Sequence, residues 1–154
     1  MSPQVGDKAP DFDFATDGDG ALSLTSLKGK IVVLYFYPKD MTPGCTTEAE
    51  DFRDRHSAFE KVGAVVVGAS KDSVKRHDKF KAKHELPFAL ISDADGTLCE
   101  AYGVWGMKKL FGVNYMGIER ATFLIDGSGV IREVWRKVKV KAHAEAVLEA
   151  ARGL

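Results

Sequence analysis

Cys45 stands where a thiol is most easily made reactive. The run Thr42-Pro43-Gly44-Cys45 joins Ile31 to Tyr37, a continuous stretch of branched aliphatic and aromatic residues, to a segment where Ala49, Phe52 and Phe59 recur at helical spacing. The first pattern is that of a strand buried on both faces and ended by Pro38; the second is an amphipathic helix lying on a sheet. Thr42 is a good N-cap residue and Pro43 suits the first helical position, so Cys45 falls in the first turn. There the unpaired backbone N–H groups and the positive end of the helix dipole favour an anion. The thiol should therefore ionise more easily than a free one, and the thiolate is the nucleophile. An arbitrary lone cysteine reads as a small buried hydrophobe, but the helix-entrance position reverses that reading. Gly44 allows a reactant close to the N–H groups of Gly44 and Cys45. The Thr42 hydroxyl, as donor and acceptor, could hold a small polar reactant as well as cap the helix.

The pattern Pro38, Thr42, Cys45, with Pro43 and Gly44 between the last two, resembles the peroxidatic-cysteine motif of the peroxiredoxins. The phrase YFYPKDMTPGCTTE, from Tyr35 to Glu48, is similar to the bacterioferritin comigratory, or PrxQ-like, group. VGDKAPDF, LISDADG, YGVWG and GIERATFLID extend the resemblance through nearly the whole chain. It implies a thiol peroxidase acting on hydrogen peroxide and small organic hydroperoxides, without metal, haem or flavin. In that chemistry the thiolate attacks one peroxide oxygen, negative charge grows on the departing oxygen, and a sulfenic acid remains. The resemblance carries the family's active-site arginine onto Arg120 in GIERATFLID and gives Glu48 the task of orienting that cation. Taken alone, Arg120 reads as an exposed strand-end arginine and Glu48 as a favourable acid in the first helical turn. Pro38 is expected to shape the loop and shield the sulfur from bulk water.

Many PrxQ-like proteins place a resolving cysteine five residues after the peroxidatic one, where this chain has Glu50. Others place it on the next helix, and Ser73 to Glu85 contains none. Cys99 is the only internal candidate, and beside Leu98 on another helix it reads as a packing residue. The expectation is a one-cysteine cycle in which thioredoxin, glutaredoxin or glutathione attacks oxidised Cys45. A Cys45–Cys99 two-cysteine cycle and a non-enzymatic redox sensor or holdase stay open as alternatives. A thiol-disulfide oxidoreductase would normally need a second cysteine where Thr42 stands.

A chain of 154 residues has the length of one domain, spanning 1–154. Lys plus Arg equals Asp plus Glu at 22 each, so the charge balance points to neither nucleic acid nor an anionic membrane as partner. The lysines Lys137, Lys139 and Lys141 read as a solvated edge. No stretch is apolar enough to span a bilayer, and MSPQVGDKAP has neither a charged n-region nor an apolar h-region, so the cytoplasm is the expected location. Two cysteines are too few for a disulfide framework. The four histidines, His56, His77, His84 and His143, lack metal-ligand spacing and read as surface or packing residues. The resembling group includes monomers and weak homodimers.

Met1 to Pro10 is expected to be extended, and Phe12 and Phe14 to lie on a short edge strand. With Leu22 and Leu24 across the turn at Asp17 to Gly20, that strand predicts an N-terminal β-hairpin. A second apolar run, Gly63 to Ala69, precedes a helix over Ser73 to Glu85 with Val74 and Phe80 facing inward. A strand at Phe88 to Ile91 and a helix at Thr97 to Tyr102 follow. From Gly103 to Gly117 periodicity fails, and the stretch is assigned to a long loop. Ala121 to Asp126 and Val130 to Trp135 predict a hairpin, and Ala142 to Ala151 a closing helix. This alternation predicts an α/β fold with a mixed central sheet flanked by helices. The resemblance makes it thioredoxin-like, with an insertion around the Ser73 helix.

Overall fold

A computed structural model describes residues 2–154. Its centre is β3, Ile31–Phe36. Alternate residues of this all-apolar strand face opposite ways, which divides the core in two. Val33 and Tyr35, with Tyr37 beyond the strand, join Cys45, Phe52, Phe59, Phe80 and Val147 on one side. Val32, Leu34 and Phe36 join Phe12, Cys99, Tyr102 and Phe123 on the other.

The sheet has seven strands in the order β2-β1-β5-β4-β3-β8-β9. These are β1 (Asp13–Thr16), β2 (Gly20–Ser23), β4 (Ala64–Ser70), β5 (Ala89–Ser92), β8 (Ala121–Ile125) and β9 (Ile131–Trp135), together with β3. β3, β4 and β5 run parallel, while β8 is antiparallel to β3 and β9 to β8, so the sheet is mixed. The N-terminal hairpin is present, but β1 is not the edge: it pairs with β5 through Thr16 and Ile91, leaving β2 outermost. Met1 lies outside the described residues. The stretch after it is not simply extended, since it turns at Val5 and Gly6 and then bridges Lys8 to Val130.

The helices are α1 (Pro43–Asp54), α2 (His56–Lys61), α3 (Val74–His84), α4 (Thr97–Ala101) and α5 (His143–Arg152). The single helix expected through Ala49, Phe52 and Phe59 is broken at Arg55, whose φ of −106° and ψ of 9° leave the helical region. Its N–H turns back to the Phe52 carbonyl at 3.2 Å. That tightening keeps the Phe52 and Phe59 rings in one cluster, with centroids 5.9 Å apart. On α3, Ser73 caps the helix by accepting from the Arg76 N–H at 3.1 Å. Phe80 is buried as expected, Val74 only half.

The stretch expected as a loop at Gly103 to Gly117 is mostly a second, two-stranded sheet of β6 (Trp105–Leu110) and β7 (Val113–Ile118). Its turn residues Phe111 and Gly112 both have positive φ, 50° and 78°, the backbone of a tight two-residue hairpin turn. Met107, Val113, Tyr115 and Met116 are all exposed, so most of the large apolar residues of this hairpin mark no buried face. Among the described residues, no helix is long and apolar enough to cross a membrane.

Candidate active site

β3 delivers the chain to the sheet's carboxyl end, where Pro38 leaves the strand and α1 begins five residues later. Thr42 is extended (φ −88°, ψ 152°), Pro43 opens the helix, and the first helical bond runs from the Thr46 N–H to the Thr42 carbonyl at 2.9 Å. The N–H groups of Gly44 and Cys45 precede that bond, so they have no partner within the helix. Cys45 is 2% exposed and packs beneath the helix entrance, whereas Gly44 is exposed.

The expected side-chain cap is not made. The Thr42 hydroxyl donates instead to the Lys39 carbonyl at 2.7 Å, closing the turn before the helix. Its one proton is thereby committed, and its oxygen can serve a reactant as an acceptor only. Pro38 is half-buried at the start of this turn.

Arg120 arrives from β8. Because β3 and β8 are antiparallel with Phe36 opposite Ala121, the residue before β8 stands at the same end of the sheet as the residue after β3. The Arg120 carbonyl accepts from the Val138 N–H at 3.0 Å, which fixes the backbone there. Its Nη2 then lies 3.3 Å from the Cys45 sulfur and its Nη1 2.6 Å from Glu48 Oε1. A Cβ at position 44 would sit 3.3 Å from that Nη2, so glycine there leaves room for the guanidinium.

Glu48 is 1% exposed, one turn along α1 from Cys45. Burial pushes its carboxyl from 4.5 up to about 7, against the lowering pull of Arg120. For Arg120, burial works against the charge, but Glu48 and Cys45 outweigh it and hold the guanidinium protonated. Glu48 Oε2 and the Tyr35 hydroxyl are buried without hydrogen-bond partners among the described residues. The Tyr35 ring stacks on Phe52 at 4.7 Å and forms part of the floor under α1.

Cys45, Gly44, Glu48 and Arg120 therefore meet, with Thr42 and Pro38 on the turn leading to them. Cys99 does not join them. It is fully buried on α4 in the core cluster across the sheet, and burial followed by Asp93 raises its pKa far above that of an ordinary thiol.

Two further features escape the sequence. Lys108 on β6 donates to the Ile118 carbonyl at 2.9 Å; burial and then the Arg120 charge lower its pKa, while Cys45 raises it, so a second cation borders the site. Nothing in its glycine-rich surroundings marks it, because its strand is not legible. The histidines are the other feature. His77 is not a simple packing residue but is bonded to Asp40 deep in the protein. His143 fits the packing role: its Nε2 lies 2.7 Å from the Thr122 hydroxyl, and burial and then Arg120 depress it to about 4.

A thiol at a helix entrance, bonded to an arginine that reaches it from the neighbouring antiparallel strand, is an arrangement that can hold a nucleophile beside a fixed cation placed to stabilise developing negative charge. The sequence profile described as the AhpC/TSA family matches residues 5–134, and the chain belongs to that family. It is 60% identical over 148 residues to the putative peroxiredoxin Bcp of Coxiella burnetii, covering 96% of this chain and 98% of the relative. To the peroxiredoxin Bcp of Bacillus subtilis it is 53% identical over 154 residues, covering 100% of this chain and 98% of the relative. The fold superposes with a TM-score of 0.90, at 43% identity, on the bacterioferritin comigratory protein of Xanthomonas campestris, a protein studied for alkyl peroxide reduction; 98% of this chain and 96% of that one are covered. The chain is thus an enzyme of the peroxiredoxin type, with the thioredoxin-like fold that its resemblance implied.

Proposed function

We infer that the protein reduces hydrogen peroxide and small organic hydroperoxides through Cys45 in a one-cysteine cycle. The observation that carries this reading is the 3.3 Å contact between Arg120 Nη2 and the Cys45 sulfur, with the arginine held by Glu48. The Cys45 thiolate attacks one peroxide oxygen, the O–O bond breaks, and its electron pair leaves with the other oxygen, which takes a proton to become water or an alcohol. Cys45 is oxidised to the sulfenic acid and the peroxide is reduced. Arg120 and the N–H groups of Gly44 and Cys45 donate to the oxygens as charge develops. Thr42, its own proton spent on Lys39, accepts the O–H of the bound peroxide. Glu48 orients Arg120, and Pro38 shapes the turn and limits water at the sulfur.

An external thiol, from thioredoxin, glutaredoxin or glutathione, then attacks the sulfenic sulfur and releases water, and a second thiol frees Cys45 from the mixed disulfide. The burial of Cys99 across the sheet supports this route over an internal disulfide. Two unpaired thiols suit a reducing compartment such as the cytoplasm. Two core layers sharing one sheet support reading the chain as one domain.

The test is to mix the reduced protein with hydrogen peroxide, adding each of the three reductants in turn, and to follow peroxide loss. Catalytic consumption with at least one of them, abolished in Cys45→Ser, is the expected result. Reduction of insulin disulfides without peroxide consumption overturns the reading.

A further inference from the structure

Asp40, midway along the turn between Pro38 and Cys45, is held at four points. Its N–H donates to Asp72 Oδ2 at 2.9 Å and its carbonyl accepts from Arg76 Nη2 at 3.1 Å. Its Oδ1 accepts from the Tyr37 hydroxyl at 2.5 Å, and its Oδ2 lies 2.6 Å from His77 Nδ1. Asp40 is 1% exposed and His77 0%. The other ring nitrogen of His77, Nε2, faces the Ile91 carbonyl at 2.9 Å. A carbonyl oxygen only accepts, and an ionised carboxylate, which accepts from the Tyr37 hydroxyl on Oδ1, has no proton to donate from Oδ2. Both nitrogens therefore carry hydrogen, and His77 is a buried imidazolium paired with Asp40.

This network belongs to the far side of the turn. Asp72, Arg76 and His77 lie on α3 or just before it, and Asp72 is itself held by Ser70 Oγ at 2.6 Å and Arg76 Nε at 3.0 Å. Although donor atoms of Asp40, Asp72 and His77 lie within 4.8 Å of one another, they are already satisfied by Tyr37, Arg76 and Ser70, so they form a closed network and not a cation site. Directly after Asp40, Met41 adopts a φ of 69°, in the left-handed region that a residue with a side chain avoids. Such a backbone persists only where its surroundings over-determine it, and the bonds to Asp40 do so. The next residue is Thr42.

We propose that His77 is a positioning residue for the peroxide reaction: by pairing with Asp40 it clamps the turn from Pro38 to Thr42 and so sets where the Thr42 hydroxyl stands relative to Cys45. The clamp acts on the peroxide-holding side of the site and makes no bond to Cys45, Arg120 or Glu48. The inference rests on the reading of Cys45 as the peroxidatic residue.

Two rates at Cys45 test it: oxidation by hydrogen peroxide, and alkylation by iodoacetamide read by peptide mass. Alkylation needs the thiolate but no positioned peroxide. His77→Leu keeps bulk and removes the donor; it should slow oxidation by about tenfold or more while alkylation stays at or above the wild-type rate. His77→Asn places an amide N–H where Nδ1 stood and should oxidise within about threefold of wild type. Tyr37→Phe removes a single bond to Asp40 and should show a smaller loss of the same sign, which serves if the leucine variant does not fold. Oxidation at the wild-type rate in both His77→Leu and Tyr37→Phe overturns the proposal. So does a parallel fall in oxidation and alkylation, or an asparagine variant as slow as the leucine one. A wild-type protein that does not consume peroxide overturns the peroxidase reading itself, whatever the His77 variants do.

Discussion

Arg120 Nη2 donates to the Cys45 sulfur at 3.3 Å, across 75 residues of chain. The contact exists because β3 and β8 are antiparallel neighbours: one strand ends where the cysteine turn begins and the other starts where the arginine stands. The sheet thus supplies the geometry, and the helix entrance and the arginine supply the charge.

Removing that charge should be costly. Arg120→Ala is expected to slow oxidation of Cys45 by hydrogen peroxide by about 10²- to 10³-fold in stopped-flow measurements. Arg120→Lys keeps a point charge but cannot bond Cys45 and Glu48 through a planar fork, so it should fall between the two. Unchanged oxidation in the alanine variant would instead fit a slow redox sensor.

Glu48 links stability to pH. Its carboxyl is raised by burial from 4.5 to about 7, so between those values the folded protein holds a proton that the unfolded chain has lost. This group's contribution is therefore fully present below pH 4.5 and lost as the pH rises through 7. Urea unfolding should show wild type losing stability relative to Glu48→Gln over that window. A loss in the opposite direction would mean that the Arg120 charge dominates the carboxyl. Glu48→Gln should also slow peroxide oxidation by about tenfold, because a neutral amide holds the guanidinium less firmly.

Cys99 should matter to folding and not to turnover. Cys99→Ala is expected to cost about 1–2 kcal/mol of stability through the cavity it leaves. Peroxide turnover with an external thiol should be unchanged. Loss of turnover in a folded Cys99→Ala protein would show that the second thiol takes part in the cycle.

His77 gives a spectroscopic expectation. Burial opposes its charge, but the hydrogen bond and charge of Asp40, followed by the Ile91 carbonyl and Asp72, raise its pKa above 6.5. Asp40, Asp72 and the Tyr37 hydroxyl face it, with Arg76 the nearby cation bonded to the two aspartates. The ¹⁵N spectrum at neutral pH should show both ring nitrogens protonated. Because the pKa is raised, this pair's contribution is present below about 6.5 and is lost only as the pH climbs through the folded value.

The elements that carry the core were legible because their residues obey simple periods. Ile31 to Phe36 is apolar throughout since both its faces are covered, and Ala144, Val147, Leu148 and Ala151 line the buried side of α5. The hairpin of β6 and β7 was not, because Met107, Val113, Tyr115 and Met116 are exposed and mark no buried face, and Phe111-Gly112 is not a turn pair that announces itself; Phe111 is 96% exposed. Cys45 could be argued from the helix entrance alone. Arg120 could not: it lies far from Cys45 in sequence, and only the resemblance pointed to it. His77 and Asp40 meet through the packing of α3 on the turn, a contact that no spacing along the chain encodes. Thr42 stands at the helix start, as its capping preference predicts, but its hydroxyl turns to the Lys39 carbonyl and not to the helix N–H groups.

The most direct test is the intact mass of fully reduced protein shortly after one equivalent of hydrogen peroxide, with no external thiol. A gain of one oxygen, absent in Cys45→Ser, is the expected result. A loss of two hydrogens with no oxygen retained would contradict the one-cysteine cycle by showing that Cys99 closes a disulfide, and an unchanged mass with the peroxide unconsumed would contradict the peroxidase chemistry at Cys45.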